Sequence, residues 1–467
     1  MELQTFETEI VFDYLEQYYR CPGRLSRFAF KEPLSAKKGY FLFGETATCY
    51  GKCYGKQPTE LPEGLRHNLW SDVEINDGRT YLPFDPSEVI DNLRLEMYVS
   101  NWRLKKPFSG LAELYYFIRP GLPVGIRSCL QKLYLRRWKD IVFPRWPVDG
   151  SVDELFQQLL LLSIRSSEID EVPFIWFWPE GAPSCAIVTH DVETTLGRDF
   201  CSTLMDIDDS FGIRASFQVI PEERYQVSGE FLSSIRDRGF ELAVHDLNHD
   251  GHLYRTRKQF LERAARINAY GKEYGADGFR AGVLYRKQVW YDALDFAYDM
   301  SVPNVAHLDP QHGGCCTVMP YFIGNVLELP VTTVQDYTLF NILGEYSTNL
   351  WKRQIDLIMA KHGLVSVIVH PDYISGTAER CVYEDLLSHL AQLRTDKGIW
   401  ITVPGQVNRW WRQRSKMHLV EGADGWRIEG EGAERARIAF ATEKDGKLVF
   451  TLQEEASRTH SIVDRSL

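Results

Sequence analysis

The chain has 467 residues and a formal net charge of -11. That length leaves room for two or three domains and a large core. The acidic balance argues against a nucleic-acid partner, which would need clustered positive charge. A hydrophobic fraction of 44% and a charged fraction of 25% are those of an ordinary soluble protein. No run approaches the roughly 18 apolar residues of a membrane span, so no integral membrane segment is expected. The start is acidic at Glu2 and Glu7, where a secretory signal would be basic and then apolar. A cytoplasmic location is the corresponding expectation. The nine cysteines are scattered and odd in number, which fits a reduced compartment and structural thiols.

Residues 1–150 read as an N-terminal α+β module of unassigned role. A helix is expected over residues 10–19, with Val11, Tyr14, Leu15 and Tyr18 on one face. Residues 39–44 read as a strand between glycines, with residues 46–54 as its partner. Residues 111–116 and 126–138 look helical, split by Pro120 and Pro123. Arg136, Arg137, Lys139 and Arg145 form a local basic patch, which reads as a solvated face. A connector marked by proline and glycine, residues 144–150, leads to a helix over residues 151–164, with Ser151 and Glu154 spaced as a capping box. An aromatic strand over residues 174–178 stops at Pro179.

From Cys185 short apolar strands alternate with helical periodicity. Strands are expected over residues 185–189, 215–220, 240–244, 279–282, near Tyr298, and over residues 326–331, 365–369 and 399–403. Helices fall between them, with Thr256 capping the one marked by Phe260, Ala264 and Ile267. Such alternation implies parallel strands with helical crossovers, and seven or eight units suit an α/β barrel over residues 151–404. Chemistry in a barrel collects at the C-terminal ends of its strands. Residues 405–467 change character, with a helix over residues 406–414 and then alternating segments. Asp445-Gly446 is a hairpin signal between the last two, so a small antiparallel β module is expected, loosely ordered from about Glu454.

Residues 244–252 hold three of the chain's twelve histidines. A strand leads into them, and Asp246, Asn248, Asp250 and Gly251 favour a loop. His245 and His249, four apart, can reach one metal ion, and a carboxylate from elsewhere would complete three ligands with a position open for water. Two carboxylates, Asp191 and Glu193, follow the first buried strand. Two apart in an extended chain, they point to one side, so one could bind metal while the other acts as a base. His370 ends another strand and could serve as a general acid. Arg280 and Asp299 stand at two further strand ends.

The order of these motifs resembles the polysaccharide deacetylase family, the NodB-homology fold of carbohydrate esterase family 4. Thr189-His190-Asp191-Val192-Glu193 looks like a spaced variant of that family's Thr-Phe-Asp-Asp motif. The resemblance implies a distorted (β/α) barrel and one divalent ion, usually Zn2+. It implies Glu193, His245 and His249 as ligands, Asp191 as base, Arg280 as the group that orients the base, and His370 as general acid. Asp299 would tune that histidine. The sequence departs from the pattern in having Glu193 for an aspartate, Asp246 for a serine or threonine, and Ala281-Gly282 where proline is usual. Whether Asp191, Glu193 or Asp246 reaches the ion stays open at this point. The implied activity is removal of N-acetyl groups from a sugar or polysaccharide precursor, with an acetylated carbohydrate as partner. A deacylase acting on a non-sugar amide or O-acetyl ester is a second reading, and a catalytically degenerate carbohydrate-binding protein is a third.

Overall fold

A computed structural model describes residues 7–9, 13–22, 27–62, 67–99, 124–167, 169–423 and 425–453. Its centre is a nine-stranded sheet: β1 (Cys185–Val192), β2 (Ser216–Val219), β3 (Glu241–His245), β4 (Gly278–Arg280), β5 (Tyr298–Asp299), β6 (Tyr321–Ile323), β7 (Val326–Glu328), β8 (Leu364–Val369) and β9 (Trp400–Thr402). The spatial order is β6-β7-β5-β4-β3-β2-β1-β8, with β9 also on β1. Every pairing is parallel except β6 with β7. One edge of β1 is shared, with Cys185–Ile187 facing β9 and the upper part facing β2.

The described strands stop short of a regular closed barrel, because β7 and β8 do not pair as strands. Side chains bridge that gap. Thr332 Oγ1 donates to the Leu364 carbonyl at 2.7 Å and accepts from the Ser366 N–H at 2.9 Å. Thr333 Oγ1 donates to the Ser366 carbonyl at 2.8 Å. The expected barrel is therefore a curled sheet whose last seam is made by threonine hydroxyls and one backbone bond, from the Thr333 N–H to the Ser366 carbonyl at 3.3 Å.

Helices cover the outer face, and their starts follow from the sequence. Thr194, Ser228 and Thr256 each accept a backbone N–H in the first turn of the helices Thr195–Ser210, Gly229–Arg236 and Arg257–Tyr274. Each such cap contributes about 1 kcal/mol. Leu204, Ile235, Phe260, Ile267, Ile355 and Leu386 then pack against Val188, Val244, Phe279 and Val367 of the sheet.

A second apolar cluster joins the two ends of the chain. Strand Glu171–Ile175 pairs antiparallel with Ile438–Lys444, which pairs with Lys447–Leu452. Asp445 and Gly446 turn that hairpin with positive φ of 51° and 76°, as the Asp-Gly signal requires. Tyr19, Phe41, Phe156, Phe174 and Trp410 share this core. The fully buried Arg414 guanidinium donates to the carbonyls of Tyr18, Tyr19, Ile175 and Trp176. The hairpin Gly39–Phe43 with Ala47–Gly51 forms as expected.

The helix expected from residue 151 spans Ser151–Ser167, but Ser151 is its first residue rather than its cap. Asp149 Oδ1 accepts from the Ser151 N–H at 2.8 Å, and Glu154 pairs with Arg145 and Lys361. A buried carboxylate two residues earlier takes the Ser151 N–H in place of the capping box. The expected helix over residues 111–116 and the tail from Glu454 lie outside the described residues.

Candidate metal centre and active site

Strand register assembles the site. His190 is level with Val369, so Asp191 and His370 leave adjacent strands side by side. His245 is level with Arg280 on the next pair of strands. Because side chains alternate along a strand, residues paired in parallel share a face. Asp191, His245, Arg280 and His370 therefore converge on the concave face.

His190 points the other way, onto Asp208 of the first crossover helix, with His190 Nε2 at 3.0 Å from Asp208 Oδ2. The histidine inside the first motif is thus an anchor for the outer layer.

Glu193, His245 and His249 bring their ligand atoms within 4.8 Å of one another, and they are the only such group among the described residues. His249 Nε2 lies 2.9 Å and His245 Nε2 3.6 Å from Glu193 Oε1. Both Nε2 atoms are buried and face only the Glu193 carboxylate, with no well-aligned hydrogen bond to any other group. Unpartnered buried imidazole nitrogens are costly unless something else takes the lone pair. His245 Nδ1 sits 3.1 Å from the Arg280 carbonyl, which favours N–H there and turns the Nε2 lone pair inward. One carboxylate and two imidazoles this close together fit a divalent metal ion.

The loop carrying His249 is held in an unusual shape. Asp246 and His249 both have φ of 55°, in the left-handed region. Asp246 does not join the cluster. Its carboxylate accepts from the N–H of Leu247 at 2.7 Å and of Gly282 at 3.2 Å, pinning the turn. Arg224 closes the loop from outside by donating to the carbonyls of Asn248 and His249. Gly282 explains why proline is missing after Arg280: a Cβ there would run into Asp246 Oδ2 and the His249 ring.

Asp191 is 3% exposed and is held by Arg280, whose Nη1 donates to Asp191 Oδ1 at 2.6 Å and to Thr189 Oγ1 at 2.9 Å. Burial alone would raise the Asp191 carboxyl, but Arg280, His245 and His370 outweigh it and leave it below its ordinary value. Burial likewise opposes the charge on Glu193, and His249, His245 and His370 bring it well below the usual carboxylate range. The two acids flanking the imidazoles are thus held ionised.

His370 Nε2 faces the same point, 3.5 Å from Glu193 Oε1. Its Nδ1 is 2.6 Å from Asp336 Oδ1, and its backbone N–H donates to Asp336 Oδ2 at 2.7 Å. Burial works against its charge, but Asp336 and then Glu193 raise the imidazole well above its ordinary value. Asp336 was not singled out from the sequence. Its only signal is an acid a few residues beyond the strand β7, at a distance no spacing rule fixes.

The role expected of Asp299 is corrected by this geometry. Asp299 is level with Phe279, not Arg280, and so lies on the outer face. There it accepts from Ser301 and stands next to Glu328, Tyr291 and Tyr254. It does not touch His370, whose carboxylate partner is Asp336. Burial pushes both Asp299 and Glu328 upward, which marks them as a buried acid pair outside the site.

No protein-family model and no curated protein matches the chain. Solved structures of polysaccharide deacetylases do match it in shape over about half its length. A candidate polysaccharide deacetylase from Mycobacterium smegmatis aligns at 16% identity over 51% of this chain and 93% of its own, with a TM-score of 0.40. A probable polysaccharide deacetylase from Pseudomonas aeruginosa PAO1 aligns at 12% identity over 50% and 93%, also with a TM-score of 0.40. The peptidoglycan deacetylase PdaC from Bacillus subtilis aligns at 14% identity over 49% and 93%, with a TM-score of 0.31. Overlap this shallow carries no weight for activity, which rests on the side chains themselves.

Proposed function

We propose that this protein is a metal-dependent hydrolase that removes the N-acetyl group from an acetylated carbohydrate. The observation that carries the reading is the convergence on one face of Glu193, His245 and His249 with Asp191 clamped by Arg280 and His370 clamped by Asp336. Glu193, His245 and His249 would hold a divalent ion, and two imidazoles with a carboxylate suit Zn2+. Such an ion, when bound, polarises a carbonyl oxygen and makes water more acidic.

The remaining steps belong to the chain's own residues. Asp191, kept ionised by Arg280, takes the proton of the attacking water. His370, kept protonated by Asp336, gives a proton to the departing nitrogen. That proton is essential, because an amide anion is a very poor leaving group. A carboxylate base and an imidazolium acid at one centre form a complementary pair suited to amide hydrolysis.

The test is acetate release from a panel of N-acetylated sugars and oligosaccharides, with chelation and zinc add-back. Release that is lost on chelation and restored by zinc is the expected result. Release that survives full metal removal would overturn the metal-dependent reading. Release only from non-sugar amides or O-acetyl esters would keep the chemistry and replace the substrate.

A further inference from the structure

The helix Val124–Leu135 and the residues after it are not explained by catalysis. Leu130, Leu133 and Tyr134, at positions i, i+3 and i+4, lie on one helical face and are 38%, 55% and 47% exposed. Single exposed apolar residues are ordinary, but three on one face of one helix form a patch. Val142, a little further on, is 47% exposed.

The charge along this stretch runs against the rest of the molecule. Lys132, Arg136, Arg137 and Lys139 follow one another with one acid, Asp140, which pairs with Arg137 at 2.7 Å, in a protein of net charge -11. Lys132, Arg136, Arg137 and Lys139 are exposed beside the apolar face. Apolar side chains rimmed by Lys and Arg are the pattern of a helix lying in a membrane interface. No helix among the described residues is long and apolar enough to cross a membrane.

The helix that carries the patch reaches the active site through its other face. Gln131 Oε1 on this helix accepts from the Tyr337 hydroxyl at 2.6 Å. The Tyr337 ring is 5.4 Å from that of Tyr373, which is 4.9 Å from the His370 ring. The helix thus stands two aromatic rings from the imidazole, and Tyr337 directly follows Asp336.

We propose that the helix Val124–Leu135, with the basic residues that follow it, seats on an anionic lipid surface and holds the mouth of the active site against it. Resting on the deacetylase reading, this defines the substrate class as an acetylated sugar displayed at a lipid surface, reached by His370 from the membrane side.

The test is co-sedimentation of the full chain with vesicles of phosphatidylcholine alone and of phosphatidylcholine with phosphatidylglycerol. Binding should need phosphatidylglycerol and weaken with salt. Leu133→Asp should abolish it, and Arg136→Glu with Arg137→Glu should weaken it by at least about tenfold, since each basic residue near such a surface is worth roughly 1 kcal/mol. Both sites are exposed, and unchanged melting of the variants confirms that they fold. No binding to anionic vesicles, or binding equal in parent and Leu133→Asp, would overturn the proposal, as would capture by a protein or nucleic acid in place of lipid. Acetate release from soluble substrates does not read this surface, so a parent protein that turns over substrate but does not bind anionic vesicles would sink the lipid proposal alone. Loss of turnover with intact vesicle binding would sink the deacetylase reading alone.

Discussion

Replacing Arg280 with Met tests how the base is held. Asp191 and Arg280 are both almost fully buried, and the Nη1 to Oδ1 distance is 2.6 Å. Methionine fills much of the same space but leaves the Asp191 carboxylate without its cation. Removing one partner of a buried pair costs about 3–5 kcal/mol, because the remaining charge stays desolvated. Arg280 Nη2 is itself buried without a partner, so its removal relieves a penalty and favours the lower end of that range. The double variant Arg280→Met with Asp191→Asn removes the stranded charge and should regain much of the loss. A coupling of about 2–3 kcal/mol is expected in the double-mutant cycle. Urea unfolding of chelated protein, followed by tryptophan fluorescence, reads all four corners. An Arg280→Met variant as stable as the parent, with a cycle that closes additively, would refute the pair as the clamp on Asp191.

Asp336→Asn should lower turnover by about 10–100-fold, the usual cost of losing an orienting carboxylate, whereas Asp299→Asn should leave turnover at the parent level; steady-state acetate release compares them, and the reverse ranking would restore Asp299 to the role expected from sequence. Gly282→Ala should crowd His249 and Asp246 and lower zinc affinity by about tenfold or more with little change in melting, measured by competition with a chromogenic chelator. Burial raises the Glu241 carboxyl from 4.5 to about 6, so the folded state holds its proton more tightly. The stability this gives is complete below pH 4.5 and falls by at most about 2 kcal/mol as the pH rises to about 6. Unfolding curves of Glu241→Gln should lack that slope, and an identical slope in parent and variant would contradict it.

Much of the site was legible because its residues sit at strand ends. Apolar runs ending in Asp191, His245, Arg280 and His370 can be read one strand at a time. Which of them share a face depends on register between strands, and no single strand carries that information. Asp299 shows the cost: it also ends a strand, but its level with Phe279 turns it outward. Asp336 was missed because it lies in irregular chain after β7 and earns its place through a tertiary contact with His370. The choice among Asp191, Glu193 and Asp246 was equally a matter of three-dimensional reach. Glu193 meets both imidazoles, Asp191 is drawn to Arg280, and Asp246 caps its own turn.

The fold follows the same division. The Asp445-Gly446 turn and the Thr256 cap were visible locally, since each is decided within a few residues. The partner of the terminal hairpin is Glu171–Ile175, far away in sequence, and alternation alone could not name it. The threonine seam between the segment after β7 and the strand β8 was invisible for the same reason.

The most direct measurement is the metal content of purified protein after zinc loading and removal of loose ions, compared with His249→Ala and Glu193→Gln. About one ion per chain in the parent, with most of it lost in both variants, is the outcome that a site of two imidazoles and one carboxylate demands. Parent protein that retains no ion, or variants that keep the parent's content, would contradict a metal centre built from Glu193, His245 and His249.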